Sequence, residues 1–193
     1  AELSGSYNSA MLAKDLVLEE RPELQIHIFN SRSASVGETL ITEKIQECEE
    51  KGMEFSEVVE TVENYINTQN TYFVLENLET LRKNGRLSNL KAFVASALKI
   101  KPVMGATPEG TIIQLDQARG MNKALVNMVD YIAGAAEDPE QKILGITHCN
   151  CPERAEAVKN AILEKISVKD VILLDTAGVS SMYANDGGVI VVL

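Results

Sequence analysis

The sequence predicts an α/β protein in two parts, and three observations carry that reading. From residue 71 onward, short β-branched runs alternate with helical periodicity, as in a sheet covered by helices. Before residue 71, three helical stretches accompany one strand-like run, and a single strand cannot make a sheet alone. The pattern therefore changes near residue 70 and divides the 193 residues into 1–70 and 71–193, a length that suits one large domain or two small ones.

The first helix is expected after residue 5, capped by Ser4 or Ser6, with Ala10, Met11, Ala13, Leu16 and Val17 as its apolar face. Arg21 and Pro22 stop it. Residues 24–29 read as a strand with Ile26 and Ile28 on one face. A polar turn, Asn30-Ser31-Arg32-Ser33-Ala34-Ser35, leads into a helix over 36–51 that Gly52 ends. A third helix is expected over 56–68, with Ser56 as its cap and Phe55 as a hydrophobic staple. Residues 71–75 read as a strand, and 76–83 and 89–98 as short helices. Residues 100–106 and 111–118 form a hairpin around Pro108-Glu109-Gly110. A helix over 120–136, a strand over 142–148, a helix opened by Pro152 and a strand over 168–175 follow. A polar loop over 178–187 precedes a last apolar strand, 188–193.

Composition removes several classes of function. With 18 Lys+Arg against 28 Asp+Glu the net charge is −10, which repels nucleic-acid phosphates. No run of apolar residues is long enough for a membrane-spanning helix. Three cysteines, Cys48, Cys149 and Cys151, are too few for a disulfide framework and point to the reducing cytoplasm. Charge is uneven: residues 82–123 hold eight Lys or Arg against Glu109 and Asp116, a basic stretch of +6.

Two turns have anion-binding chemistry. Leu3-Ser4-Gly5-Ser6 sits at a helix start, where unpaired N–H groups and the helix dipole meet two hydroxyls. Ser31, Ser33 and Ser35 repeat that logic between a strand and a helix. Two such turns at the carboxyl ends of strands in one sheet would share a crevice. The opening residues read as a strand-to-helix turn whose strand lies upstream, so the chain is expected to lack an N-terminal portion. His148-Cys149-Asn150-Cys151 has metal-binding side chains, with Cys149 and Cys151 expected on one side of an extended segment. The remaining candidates, His27 and Cys48, are isolated, so no metal is expected.

Taken in order, these segments resemble the DegV family of bacterial fatty-acid-binding proteins. The resemblance runs over nearly the whole chain. It is carried by residues 3–10 (Leu-Ser-Gly-Ser-Tyr-Asn-Ser-Ala), 30–37 (Asn-Ser-Arg-Ser-Ala-Ser-Val-Gly) and 72–86, which ends in Arg-Lys-Asn-Gly-Arg. Residues 97–102 (Ala-Leu-Lys-Ile-Lys-Pro), Ala118-Arg119-Gly120 and the glycine-rich late loop complete it. It implies a parallel three-layer α/β/α sandwich, incomplete here, and a two-layer α/β domain with a mixed sheet. One long-chain fatty acid would lie in an apolar tunnel between them. The implied role is a non-catalytic carrier that presents the carboxylate to a separate fatty acid kinase, which makes acyl phosphate for phospholipid synthesis. Ser4 falls on the family's carboxylate-binding serine, and Tyr183 stands where many members have a histidine. Ser6, Ser31, Ser33 and Ser35 are the candidates for the site's mouth. Arg86 and Arg119 align with arginines near the mouth of the head-group site and are candidates for kinase docking or for the phosphoryl site. The implied partners are the fatty acid, the kinase's catalytic subunit and, transiently, a membrane surface, with no cofactor. The alternative is an enzyme binding a small phosphorylated metabolite at the two serine turns of a related scaffold.

Overall fold

A mixed sheet of six strands runs through the protein and is built from the second part of the chain. The computed structural model describes residues 3–87 and 99–193; the helix expected over 89–98 lies outside the described residues. The strands are β1 (Thr71–Val74), β2 (Ile100–Ala106), β3 (Ile112–Arg119), β4 (Ile143–His148), β5 (Asp170–Asp175) and β6 (Val189–Val192). The described α-helices are α1 (Ser6–Glu20), α2 (Val36–Glu50), α3 (Phe55–Thr68), α4 (Glu79–Lys83), α5 (Met121–Ala135), α6 (Pro152–Leu163) and α7 (Gly178–Ala184). The strand order is β3-β2-β1-β6-β4-β5. Only β4 and β5 run parallel, and α6 is the crossover that a parallel pair requires. Among the described residues no helix is long and apolar enough to cross a membrane.

The two-residue period of the strands creates two different faces. Tyr72, Val74, Val103, Leu144, Ile146, Val189 and Val191 point to one side and pack against Met128 and Ile132 of α5 and Ile162 of α6. Phe73, Met104 and Ile190 point to the other side, under Leu81 of α4 and Ala184 of α7. On that second face α2 lies beside them, and Val36 and Leu40 pack on Val192. Gly145 of β4 permits this close approach. A Cβ there would lie 2.7 Å from Val36 Cγ2 and 3.1 Å from Leu40 Cδ1.

The hairpin of β2 and β3 forms as its turn residues demand. Thr107 N–H donates to Thr111 O at 2.9 Å, and Gly110 takes a left-handed φ of +86°. Four local expectations are corrected, and the apolar face of the first helix stands exposed. Residues 24–29 form no strand, because a strand needs a neighbour and residues 25–30 make no backbone ladder with the described residues. Residues 178–187 are not one loop: 178–184 coil into α7, and Asn185, at φ +57°, ends it. The cap of α3 is Glu54 rather than Ser56, since the Glu57 carboxylate accepts the Glu54 N–H at 3.0 Å. Phe55 makes no staple and stays 43% exposed. The apolar face of α1 is formed but not covered: no residue of α1 is buried, and Leu16 is 64% exposed. Helical hydrogen bonds are local, whereas burial needs a second layer.

The packing of α2 on β4 yields a prediction. Gly145→Ala forces Val36 or Leu40 from a fully buried position, so stability should fall by ~1–3 kcal/mol. Urea denaturation reads this as a lower midpoint with an unchanged slope; an unchanged midpoint would contradict the close packing.

Candidate functional site

The candidate side chains divide between two regions of the second sheet face. The first region is built where residues 3–6, 78–87 and 183–184 meet. Phe73, Leu75, Leu78, Leu81, Leu87, Met104, Ile112 and Ala184 make an apolar cluster, and Leu3 and Tyr183 pack against it. Arg86 ties this region together: its Nε donates to Leu3 O at 3.2 Å and its Nη1 to Asn84 O at 2.5 Å. Ser4 is thus held beside the cluster through its neighbour Leu3. Gly5, rather than a serine, is the N-cap of α1. Ser4 Oγ accepts the Ser6 N–H at 3.2 Å and lies 2.8 Å from Ser6 Oγ. Both hydroxyls are exposed, at the positive end of a 15-residue helix. Arg86 and the Ser4–Ser6 turn thus meet through Leu3, which packs against the same apolar cluster as Tyr183.

The second region is the 30–35 turn. Ser33 Oγ lies 2.8 Å from Thr71 Oγ1, and Ser35 Oγ lies 2.9 Å from Thr147 Oγ1. Ser31 Oγ donates to Ser33 O at 3.2 Å and to Glu38 at 3.3 Å. Strand register puts Thr147, Ile190 and Phe73 in one row, so Ser35 stands at the margin of the apolar cluster and Ser33 one row farther along. The turn is strained: Arg32 has φ +48°, and Ser35 has φ +58° with ψ −128°. Such backbone costs roughly 1–3 kcal/mol per residue and persists where its surroundings hold it. Here Arg32 Nη2 donates to Asn67 Oδ1 at 2.6 Å and Nη1 to Pro108 O at 3.3 Å. The turn, α3 and the β2–β3 hairpin thereby enclose a small polar cavity of about 50 Å³. The expected crevice at the carboxyl ends of the turns' own strands is not what joins them, since residues 24–29 form no strand; the shared face of β1, β6 and β4 does.

Arg119 lies on β3. It ends that edge strand, exposed, opposite Ile100. The basic stretch is also weaker than its count. Arg82 and Lys83 both pair with Glu79, at 2.7 and 3.4 Å, and Lys101 pairs with Glu76 at 2.7 Å. The Arg82 guanidinium holds the Glu79 carboxyl down at about 2. Two acids just upstream of residue 82, Glu76 and Glu79, thus offset part of that positive charge.

The His148–Cys151 segment does not gather its thiols. Asn150 adopts φ +53°, which turns the chain between the two cysteines. Cys149 packs against the Phe73 cluster and Cys151 against the core under α5 and α6. Burial pushes the Cys151 thiol above its ordinary value. His148 is buried, and its Nδ1 accepts the Cys151 N–H at 3.3 Å. His27 Nε2 lies 2.9 Å from Glu63 Oε1.

A family model described as "Uncharacterised protein, DegV family" matches residues 1–193. The chain belongs to the DegV family. A DegV-family protein from Ruminococcus gnavus, solved with vaccenic acid, is 60% identical with a TM-score of 0.95; the match covers 100% of this chain and 68% of that one. The Streptococcus pneumoniae fatty acid kinase (Fak) B3 protein, loaded with linoleic acid, is 34% identical with a TM-score of 0.88, over 98% of this chain and 67% of that one. A DegV domain-containing protein from Streptococcus gordonii is 35% identical over 188 residues, which is 97% of this chain; the chain spans 66% of that relative's length.

Within this DegV chain, sequence reasoning missed Thr71 and Thr147 as the partners of the serine turn. Threonine is a good strand former, so its hydroxyl carried no separate signal. It also missed Arg32, whose partners lie 35 and 76 residues away. Arg32→Ala frees the strained turn from α3 and the hairpin. Stability should fall by ~1 kcal/mol, with faster amide exchange over 31–35. Unchanged exchange there would show that the Ser33 and Ser35 contacts suffice.

Proposed function

We propose that this chain is a non-catalytic carrier that binds a long-chain fatty acid and presents its carboxylate to the catalytic subunit of a fatty acid kinase, in the bacterial cytoplasm. The observation that carries this reading is the meeting of an exposed hydroxyl and amide turn, Ser4–Ser6, with an apolar cluster through Leu3. A buried or half-buried carboxylate needs donors, and hydroxyls with helix-end N–H groups supply them without a cofactor. Ser4 and Tyr183 are the proposed carboxylate donors. Ser6 is assigned to the mouth; Ser33 and Ser35 border the acyl region through the sheet threonines, with Ser31 behind them on the Ser33 carbonyl. Arg86 and Arg119 are the proposed surface for the kinase. The acyl chain would run over Phe73 and Ile190, between residues 1–70 and 71–193, and each CH₂ removed from water contributes ~0.8 kcal/mol. The fatty acids bound by the Ruminococcus gnavus and Streptococcus pneumoniae proteins, and the fatty acid kinase after which the latter is named, support the same reading. A phosphorylated metabolite would call for a short polar cleft, and the apolar cluster beside Ser4 favours the acyl ligand instead.

Protein purified from bacteria, denatured and extracted into organic solvent should release fatty acid detectable by mass spectrometry. A folded, empty protein that also takes up neither vaccenic nor linoleic acid would sink the reading. Ser4→Ala removes a hydrogen bond to a charged group, worth ~1.5–3 kcal/mol, so affinity should fall about tenfold to a hundredfold. Arg119→Ala should keep its lipid and yet fail to support acyl phosphate formation when the kinase subunit is added. Equal lipid loss in both variants would make Arg119 a pocket residue.

A further inference from the structure

Two chain segments leave the same end of the sheet toward the Ser4 region, and one carboxylate joins their roots. Glu76 follows β1 and opens the segment that runs through α4 to Arg86. Gly187 lies in the turn between α7, which carries Tyr183, and β6. Lys101 Nζ donates to Glu76 Oε2 at 2.7 Å and to the Glu76 carbonyl. Arg154 Nη2 donates to Glu76 Oε1 at 3.0 Å, and Arg154 Nη1 donates to Gly187 O. The fit around Gly187 is close: a Cβ there would lie 2.7 Å from Arg154 Nη1 and 2.9 Å from Glu76 Cγ, and its φ is +84°. The Gly187 N–H donates to Cys149 O at 2.8 Å, which closes the turn against β4.

All three charged side chains are mostly covered, with Lys101 20%, Arg154 27% and Glu76 35% exposed, so solvent screens them less than the surface pairs of α4. Burial by itself would raise the Glu76 carboxyl, but Lys101 and Arg154 outweigh it and hold it below its ordinary value. Both carboxylate oxygens are engaged by cations from different elements, a geometry that fixes direction as well as distance.

We propose that Glu76 is a positioning residue, which through Arg154 and Gly187 sets where Tyr183 stands relative to the Arg86–Leu3 arm, and so shapes the head-group end of the site. This rests on the fatty-acid reading above. Glu76 itself touches no ligand in this assignment. An amide in its place can accept from only one of the two cations, because its NH₂ group meets the other.

The test compares the protein with its Glu76→Gln and Arg154→Ala variants by NMR with labelled tyrosine, assigned with Tyr183→Phe, together with amide exchange. The ring signals of Tyr183 should shift in both variants. Those of Tyr72 and Tyr131, which pair at 6.1 Å on the opposite sheet face, should stay. Exchange should speed up about tenfold at 86 and 185–188 and not in β4 or α5, and vaccenic-acid affinity should fall about tenfold. Unmoved Tyr183 signals, or equal changes in all tyrosines and amides, would overturn the positioning role. Full affinity despite a shifted Tyr183 would overturn its link to the head group. Parent protein that takes up no fatty acid would refute the carrier reading, while the Tyr183 and amide data would still decide whether Glu76 holds the two arms.

Discussion

Strand β6 pairs along its whole length with β1 on one side and with β4 on the other. It is the last strand of the chain and sits near the centre of the sheet, so the sheet is continuous only when the two ends of residues 71–193 meet. Asn70 and Leu193 close that junction with reciprocal backbone hydrogen bonds at 2.8 and 3.1 Å. Pairing at such sequence separation costs loop-closure entropy before it returns hydrogen bonds and burial. The sheet face under the candidate site depends on it. The row Thr147–Ile190–Phe73 exists because β6 lies between β4 and β1, and the turns that carry Tyr183 and Arg86 leave from the same end for the same reason.

The two sheet faces then take different work. Under α5 and α6 the side chains are almost entirely buried and apolar, and that face is the stable base. The opposite face is graded. Residues Ser33 and Ser35 are tied to threonines at one margin, and the apolar cluster beneath α4 and α7 leads to the exposed hydroxyls of Ser4 and Ser6. This face thus runs from a polar margin through an apolar middle to a hydroxyl-rich end.

Charge is arranged locally rather than by net balance. The chain carries −10 overall, yet most of the cations around the site have named acidic or carbonyl partners: Arg82 with Glu79, Lys101 and Arg154 with Glu76, Arg86 with Leu3 O. Such contacts place backbone segments, and the carboxylates among them offset part of the cations' long-range field. Arg119 is exposed at the end of edge strand β3.

Most described elements of residues 71–193 were legible in the sequence because strand alternation, a Pro108-Glu109-Gly110 turn and Pro152 at a helix start are local signals. The segment-by-segment resemblance likewise named the family. Other features depended on neighbours. Residues 24–29 have strand composition, yet no described strand pairs with them, and the polar spelling of 178–187 hid α7. That Leu3, beside Ser4, and Tyr183 pack against one apolar cluster was not legible in the sequence. The clamp of Glu76, Arg154 and Gly187 spans 111 residues, from position 76 to 187, and left no pattern at all. What the sequence determined by itself was what short-range backbone preference and side-chain periodicity can fix: which stretches coil, which extend, and where turns fall. Only the tertiary structure decided which hydroxyls meet which threonines, which cations are neutralised and which arms share a carboxylate, because those contacts form when distant segments are brought together by the burial of the sheet.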